Sequence, residues 1–228
     1  MKEKHLKTLF IALLLFMPIS VAAKESICFG TTAKGRLKDG VELPSSGNNF
    51  VTYSRVARAA GRTYVHSKVK DIVVEAYRIL ESEQPKKVYK YAETGLKEGG
   101  QFKPHKTHRN GLSVDFMTPV INKKGKSVHL PTNPFNKFGY NIEFDKNGVY
   151  EGLKIDYEAL AAHIVVLDKT AKQKGYDLWR VIFDPSLQPE LFKTKYSAYL
   201  KANIRFSKKR SWVRHDEHYH VDFAIPCQ

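Results

Sequence analysis

Residues 218–225 read HYHVDFAI and alternate between polar and apolar side chains. A period of two is typical of a β-strand that has one face in the core. The odd-numbered positions from Tyr219 to Ile225 would face the core, and His218, His220 and Asp222 would share the opposite face. The segment therefore predicts a sheet whose polar face carries two imidazoles and a carboxylate. Such a set suits a metal site, an acid/base centre or plain surface polarity.

The other periodic segments are helices and short strands in irregular order. Apolar residues follow helical spacing over 67–87, between a predicted N-cap at Ser67 and a stop at Pro85. A second helical pattern covers 156–175 and begins at a predicted N-cap, Asp156. Further strand patterns cover 88–95, 112–120 and 178–185. Because no regular βαβ repeat links these segments, the sequence predicts an α+β domain with a central antiparallel sheet and flanking helices.

Two segments lack such periodicity. Residues 28–50 are rich in glycine and polar turn formers, which predicts a lead-in that wraps the surface. Residues 121–150 contain prolines, glycines, asparagines and lysines without a long periodic run. We expect an irregular excursion there, and loops of this length are often functional.

The beginning of the chain has the pattern of a secretory signal peptide. Three lysines precede the apolar run 9–16, and the small residues Val21, Ala22 and Ala23 follow it. The run is shorter than the roughly 20 residues that a membrane span needs, and no later stretch is apolar enough to span a bilayer. We therefore expect a signal peptide at 1–23, a single domain at 24–228 and export to the periplasm.

The chain is strongly basic, with a formal net charge of +15 over 228 residues. Such a charge favours an anionic partner, either an anionic membrane surface or an acidic cell-wall polymer. Export makes nucleic acid the least expected partner. The alternative is a solvated basic surface that serves solubility alone.

The sequence contains two cysteines, Cys28 and Cys227. An even number of cysteines in an oxidising compartment predicts one disulfide, which would join the two ends of the mature chain. If the chain stayed in a reducing compartment, both would be expected as buried thiols.

Five of the nine histidines fall in two short segments, HKTHRNGLSVDF at 105–116 and HDEHYH at 215–220. Several nucleophile and phosphate motifs are missing, namely G-x-S-x-G, the P-loop, G-x-G-x-x-G and H-E-x-x-H. In the first segment His108 would lie in a loop, Gly111 would permit a tight turn, and Asp115 would lie on a strand among apolar neighbours. An unpaired carboxylate there would be costly, so a cationic partner is expected.

His108, Asp115 and His220 together form a set of two imidazoles and one carboxylate, which suits Zn²⁺ with a fourth position open to water. An isolated His-x-His pair on a strand is more often surface polarity or a structural pair. The combination of both segments in an exported chain favours a metal site.

The segments HKTHRNGLSVDF and WVRHDEHYHVDFAIPC resemble the penicillin-insensitive murein endopeptidase family, a member of the LAS group of zinc peptidases. The segments ELPSSGNNF, GRTYVHSKVKD, AETGLKEGGQF and RVIFDP are also similar to that family. The resemblance implies a LAS-type fold with zinc on His108, Asp115 and His220. It matches His218 and His215 to two further active-site histidines, and His105 to the histidine three residues before the first ligand. A second metal beside His105 would need an Asp/His pair that the excursion does not show, so we expect His105 to contact the substrate or to support a ligand.

The proton-handling group stays open between three residues. His218 is the first choice because it shares a strand face with His220, and His215 could stabilise the oxyanion or act as the acid. Glu217 lies three residues before His220, where D-Ala-D-Ala dipeptidase-type relatives carry a glutamate base, whereas murein endopeptidases usually lack an acid there. In a regular strand Glu217 would point away from the zinc.

The resemblance implies hydrolysis of peptidoglycan cross-links, with the D-alanyl-meso-diaminopimelate bond as the leading substrate. The alternatives are an L,D-endopeptidase, a D-Ala-D-Ala carboxypeptidase, or a non-catalytic wall-binding module with a structural zinc. An envelope or secretion machine that opens the wall locally is a further expected partner.

Overall fold

The computed structural model describes residues 24–211 and 213–228, and the predicted signal peptide at 1–23 lies outside the described residues. The strands in the described parts are β1 (Ile27–Gly30), β2 (Gly35–Lys38), β3 (Val41–Glu42), β4 (Phe50–Thr52), β5 (Tyr64–Val65), β6 (Tyr89–Tyr91), β7 (Ser113–Met117), β8 (Val120–Ile121), β9 (Ser127–Val128), β10 (Val149–Tyr150), β11 (Leu153–Ile155), β12 (Asp177–Ile182) and β13 (His218–Ala224). The α-helices there are α1 (Arg55–Ala59), α2 (Ser67–Glu83), α3 (Tyr157–Gln173), α4 (Gln188–Leu191) and α5 (Ser197–Asn203). The chain thus mixes helices with several sheets, as the sequence predicts.

The central sheet has five strands in the order β12-β13-β7-β6-β4. The first three neighbouring pairs are antiparallel, whereas β4 and β6 are parallel. The expectation of a purely antiparallel sheet is therefore wrong at one edge. The long connection from β4 through α2 to β6 explains the difference, because a helical crossover returns the chain in the parallel direction.

Helices α2 and α3 pack against each other and cover the apolar face of the central sheet. Tyr77 of α2 stacks on Phe50 of β4 and on His163 of α3, with ring centroids 4.3 Å and 5.0 Å apart. Phe116 of β7 and Tyr219 of β13 stack at 5.4 Å beneath them. The odd-numbered side chains of β13 thus enter the core, which leaves its even-numbered side chains on the opposite face.

The N-cap of α3 is the residue that the sequence predicts, whereas the N-cap of α2 is not. Asp156 caps α3, and its side chain accepts a hydrogen bond from the Ala159 N–H. Helix α2 includes Ser67 itself, and its N-cap is His66, whose Nδ1 accepts from the Lys68 N–H. The cap therefore lies one residue earlier than the sequence predicts, because an imidazole nitrogen replaces the hydroxyl usual at that position.

The lead-in at 28–50 is more ordered than predicted. It forms the β1–β2 hairpin and β3, and it ends at the first residue of β4, an edge strand of the central sheet. The excursion at 121–150 is irregular over most of its length but contributes short strands to a separate sheet, β10-β11-β8-β9. It also contains a tight turn, Pro134–Gly139, which we call the cleft turn.

Cys28 and Cys227 form the predicted disulfide across 199 residues. Two backbone hydrogen bonds of 2.9 Å, between Gly30 and Gln228 and between Gln228 and Cys28, hold the end of the chain against β1. A structural disulfide is typical of extracytoplasmic proteins. None of the helices in the described parts of the chain has the length and apolar character needed to cross a membrane.

Candidate metal centre

Strand pairing brings Asp115 and His220 together although they are 105 residues apart. The two residues lie directly opposite each other in the β7–β13 ladder, so their side chains point to the same face. His220 Nδ1 lies 2.8 Å from Asp115 Oδ1. Both side chains are almost completely buried, with 2 % and 1 % exposure.

His108 approaches the same carboxylate from the loop before β7. Its backbone is left-handed, with a φ of 67°, and Gly111 follows with a φ of 76°, the tight turn that the sequence predicts. Nδ1 of His108 lies 3.0 Å from the Thr94 carbonyl, and Nε2 lies 3.3 Å from Asp115 Oδ1. This buried Nε2 makes no hydrogen bond to any residue that the structure describes. Such an orphaned ring nitrogen beside a carboxylate is what a metal ligand requires.

A second carboxylate fixes the orientation of His220. Asp222 Oδ1 lies 2.8 Å from His220 Nε2 and accepts a hydrogen bond of 2.6 Å from Ser113 Oγ. Its other oxygen accepts from Arg180 Nε at 2.6 Å. When the Nε2 proton of His220 is donated to Asp222, the Nδ1 lone pair faces Asp115. The sequence placed Asp222 on the correct face, but its partners come from two other strands.

Electrostatics favour a cation between these groups. Burial alone would raise the pKa of Asp115, but the facing histidines outweigh it and hold that pKa well below its usual range. Burial would lower the pKa of His220, but the carboxylates of Asp222 and Asp115 raise it to about 10. The imidazole is therefore charged in the metal-free protein, and a metal ion that displaces its Nδ1 proton would keep a positive charge beside Asp115.

His105 lies directly beside His108 and Asp115. One nitrogen of His105, one nitrogen of His108 and one oxygen of Asp115 all lie within 4.8 Å of one another, so these three residues could hold a metal ion. The Nε2 atom of His105 donates to Glu93, which leaves Nδ1 facing Asp115 Oδ2 at 3.9 Å. His105 thus offers one free ring nitrogen to the centre.

Glu93 anchors this side of the site and was not identified from the sequence. It accepts hydrogen bonds from Arg62, His105 and Tyr53, the last at 3.0 Å. Burial opposes its ionisation, but His105 and Arg62 lower its pKa to about 2. Tyr140 was also missed. Its hydroxyl reaches Asp115 Oδ2 at 3.4 Å from the irregular excursion.

His218 and Glu217 form a buried pair at the start of β13. His218 Nδ1 lies 2.6 Å from Glu217 Oε1, and His218 Nε2 lies 3.9 Å from Asp115 Oδ2. The side chain of Glu217 thus contacts the histidine beside it. Burial lowers the pKa of His218 to about 4 and raises the pKa of Glu217 to about 8. At neutral pH, without a metal ion, the proton of the pair therefore lies on Glu217 and the ring of His218 is neutral.

His215 and His218 both line a cavity of about 360 Å³ that opens beside the centre. Their ring centroids lie 4.6 Å apart, and His215 Nδ1 lies 2.8 Å from the Val213 carbonyl. Burial lowers the pKa of His215 to about 3, so its ring is neutral at neutral pH. Arg62 and Glu93 also line this cavity.

The structure thus brings together all seven site residues that the sequence singled out, from two segments about a hundred residues apart. A family model described as penicillin-insensitive murein endopeptidase matches residues 28–228. A comparison with curated proteins found no match.

Proposed function

The chain belongs to the penicillin-insensitive murein endopeptidase family, and on this premise we propose that it is an exported zinc peptidase that hydrolyses peptide cross-links of peptidoglycan. The favoured bond is the D-alanyl-meso-diaminopimelate cross-link. The observation that carries the proposal is the buried Asp115 carboxylate with His108 Nε2 at 3.3 Å and His220 Nδ1 at 2.8 Å. The family match supports peptidoglycan hydrolysis in general, and the zinc and the bond are our proposals.

His108, Asp115 and His220 are the proposed metal ligands, and the free Nδ1 of His105 lies beside them. A Zn²⁺ ion held by this set would act as a Lewis acid on the scissile carbonyl and would lower the pKa of water to about 7. Two imidazoles and one carboxylate form a typical catalytic zinc set, because they leave a coordination position open. Asp222 and the Thr94 carbonyl hold the rings of His220 and His108 from behind.

His218 is the proposed general base. When Glu217 is ionised it accepts the Nδ1 proton, which leaves the Nε2 lone pair of His218 on the side of Asp115. When Glu217 holds the proton, it donates to Nδ1, and His218 presents an Nε2–H donor instead. Glu217 thus sets the tautomer of His218. The two residues therefore act together in proton transfer and are not alternative bases. His215, neutral and on the cavity wall, is placed to support the oxyanion.

Compartment and charge support the wall polymer as substrate. The basic chain carries a disulfide, and its sequence begins with a predicted signal peptide at 1–23, so we place it in the periplasm. We also assign the central sheet, with the metal centre on one face and two helices on the other, to the LAS-type fold. The two cysteines form the disulfide, so neither is available as a nucleophile.

There are two enzymatic alternatives and one non-catalytic alternative. An L,D-endopeptidase or a D-Ala-D-Ala carboxypeptidase would use the same centre on another bond. A non-catalytic wall-binding module would carry a structural zinc, but such sites are usually closed by four protein ligands, whereas here His215 and His218 face a cavity.

Digestion of purified sacculi tests the proposal. The zinc-loaded protein should convert cross-linked dimers into monomers, chelation should stop the reaction, and added zinc should restore it. Release of free D-alanine alone would identify a carboxypeptidase. Binding to sacculi without any released product, with chelation changing only the melting temperature, would support the wall-binding module.

A further inference from the structure

The cavity beside the metal centre carries one cation, Lys137, that forms no ion pair with the residues that the structure describes. Its wall contains three side chains with a fixed charge: Arg62, Glu93 and Lys137. Arg62 is paired with Glu93, and its NH2 group also donates to the Lys103 carbonyl at 2.9 Å. Lys137 makes no ion pair within residues 24–211 and 213–228, and it is exposed to solvent.

Lys137 lies in the cavity wall at a point where the backbone has an unfavourable conformation. Lys137 and Phe138 both lie in the left-handed region, with φ of 49° and 57°, and Gly139 follows with a φ of 103°. Consecutive non-glycine residues rarely adopt this conformation, because their Cβ atoms crowd the following carbonyl oxygen. Strained backbone conformations of this kind are often found where a protein holds a ligand.

Several hydrogen bonds impose the conformation of the cleft turn. The Asn133 side chain accepts from two backbone N–H groups of the turn, and the backbone carbonyl of Asn133 accepts from the Phe138 N–H at 2.7 Å. The Asn136 side chain accepts from Gly139 N–H at 2.9 Å and donates to the Pro131 carbonyl at 2.8 Å. These bonds fix the backbone of the cleft turn, and with it the attachment point of the Lys137 side chain, at the cavity wall.

The side chains after Lys137 tie the cleft turn to the metal centre. The Phe138 ring packs edge-on against Tyr53 at 6.2 Å. Tyr140 reaches Asp115 and packs on His218, with ring centroids 4.9 Å apart. Lys137 therefore lies in the wall of the same cavity as the proposed general base.

We propose that Lys137 binds a carboxylate of the substrate, namely the one on the residue that supplies the amine of the scissile bond. This inference rests on the proposed function. In a D-alanyl-meso-diaminopimelate cross-link, the carbon that bears this amine also bears a free carboxylate, whereas an internal residue of a protein chain has an amide there. The carboxylate lies two covalent bonds from the scissile nitrogen, so it must enter the cavity with the reacting bond. An unpaired ammonium at that place selects wall peptides over ordinary proteins.

A matched pair of substrates tests the role of Lys137. The substrates are two soluble cross-linked muropeptide dimers that differ only in whether this carboxylate is free or amidated. The wild-type protein should prefer the free carboxylate about tenfold in kcat/KM, as expected for one charge-assisted contact. Lys137→Gln should reduce this preference to about one through a higher KM for the free dimer, and Lys137→Arg should restore it. Lys124→Gln, the same charge change on the β8–β9 turn outside the cavity, should keep the full preference.

Measuring both hydrolysis and binding distinguishes a failure of the proposed function from a failure of the inference about Lys137. If the zinc-loaded protein cleaves neither dimer, the proposed function fails, and the Kd values of the two dimers still decide the role of Lys137. A preference for the free carboxylate that survives in Lys137→Gln, whether in KM or in Kd, overturns the inference. The absence of any preference in the wild-type protein overturns it as well.

Discussion

Asp222→Asn should weaken zinc binding although Asp222 is not a proposed ligand. The carboxylate accepts from Ser113 and from Arg180, and its Oδ1 lies 2.8 Å from His220 Nε2. An asparagine has only one acceptor oxygen. If its amide group faces His220, the ring must accept at Nε2, and its Nδ1 proton then points at Asp115. In that tautomer Nδ1 carries a proton and has no lone pair to offer a metal ion.

The structure sets the size of the effect. If the asparagine oxygen instead faces His220, the ring keeps its orientation, but the full charge of a completely buried carboxylate is lost. The amide then faces Arg180, whose side chain is 32 % exposed and can turn to solvent. Loss of such a supporting carboxylate typically costs 10–100-fold in metal affinity. We therefore expect a loss of about 1.4–2.7 kcal/mol in the free energy of zinc binding.

Competition with a chromophoric chelator measures the zinc Kd of each variant directly, without any substrate. Asp184→Asn is the matched control, because Asp184 is a buried carboxylate that accepts from Arg214 at 2.6 Å and contacts no proposed ligand through its side chain. Its zinc Kd should remain within about twofold of wild type. Equal zinc affinity in wild type and Asp222→Asn, with both variants folded, would refute the supporting role of Asp222.

Three further outcomes follow from the structure. With zinc retained, His218→Ala should lower kcat about 10²–10⁴-fold, as loss of a general base does, whereas Glu217→Gln should lower it less; near-full activity of His218→Ala would rule out the assignment. The double substitution Cys28→Ser, Cys227→Ser should lower the free energy of unfolding by about 5 kcal/mol, because the bridge spans 199 residues, and thermal melts should shift down by about 10–20 °C; an unchanged melting temperature would contradict this. Burial lowers the pKa of His163 to about 3 in the folded chain, against about 6.5 when unfolded, so the unfolded chain binds the extra proton between these values. Stability should therefore fall by about 2 kcal/mol from pH 7 to pH 5, and guanidinium unfolding of His163→Gln should show a pH dependence smaller by that amount.

Local sequence patterns were sufficient to predict those features that depend only on neighbouring residues of one strand or helix. The alternation at 218–225 correctly separated the core face of β13 from its polar face, because a strand has a period of two. The cap of α3 at Asp156 followed from a local hydrogen bond, which the sequence can reveal. The register of the β7–β13 pair, which places His220 opposite Asp115, could not be predicted from the sequence alone.

Long-range placement explains what the sequence missed. Glu93 and Tyr140 come from a strand end and an irregular excursion, so their approach to the centre depends on the tertiary fold rather than on local spacing. β4 joined the central sheet through a parallel pairing with β6, which its three residues do not signal. Lys137 reaches the cavity through two left-handed residues, Lys137 itself and Phe138, and neither residue type favours that conformation.

Zinc titration of the metal-free protein tests the central claim most directly. Cross-link hydrolysis in sacculi should rise linearly with added zinc and level off at about one ion per chain for the wild-type protein, as a single three-ligand centre requires. Asp115→Ala should stay inactive at every zinc concentration, since it removes the carboxylate that lies 3.3 Å from His108 Nε2 and 2.8 Å from His220 Nδ1. Full hydrolysis by the chelated wild-type protein, or wild-type rates in Asp115→Ala, would contradict the account.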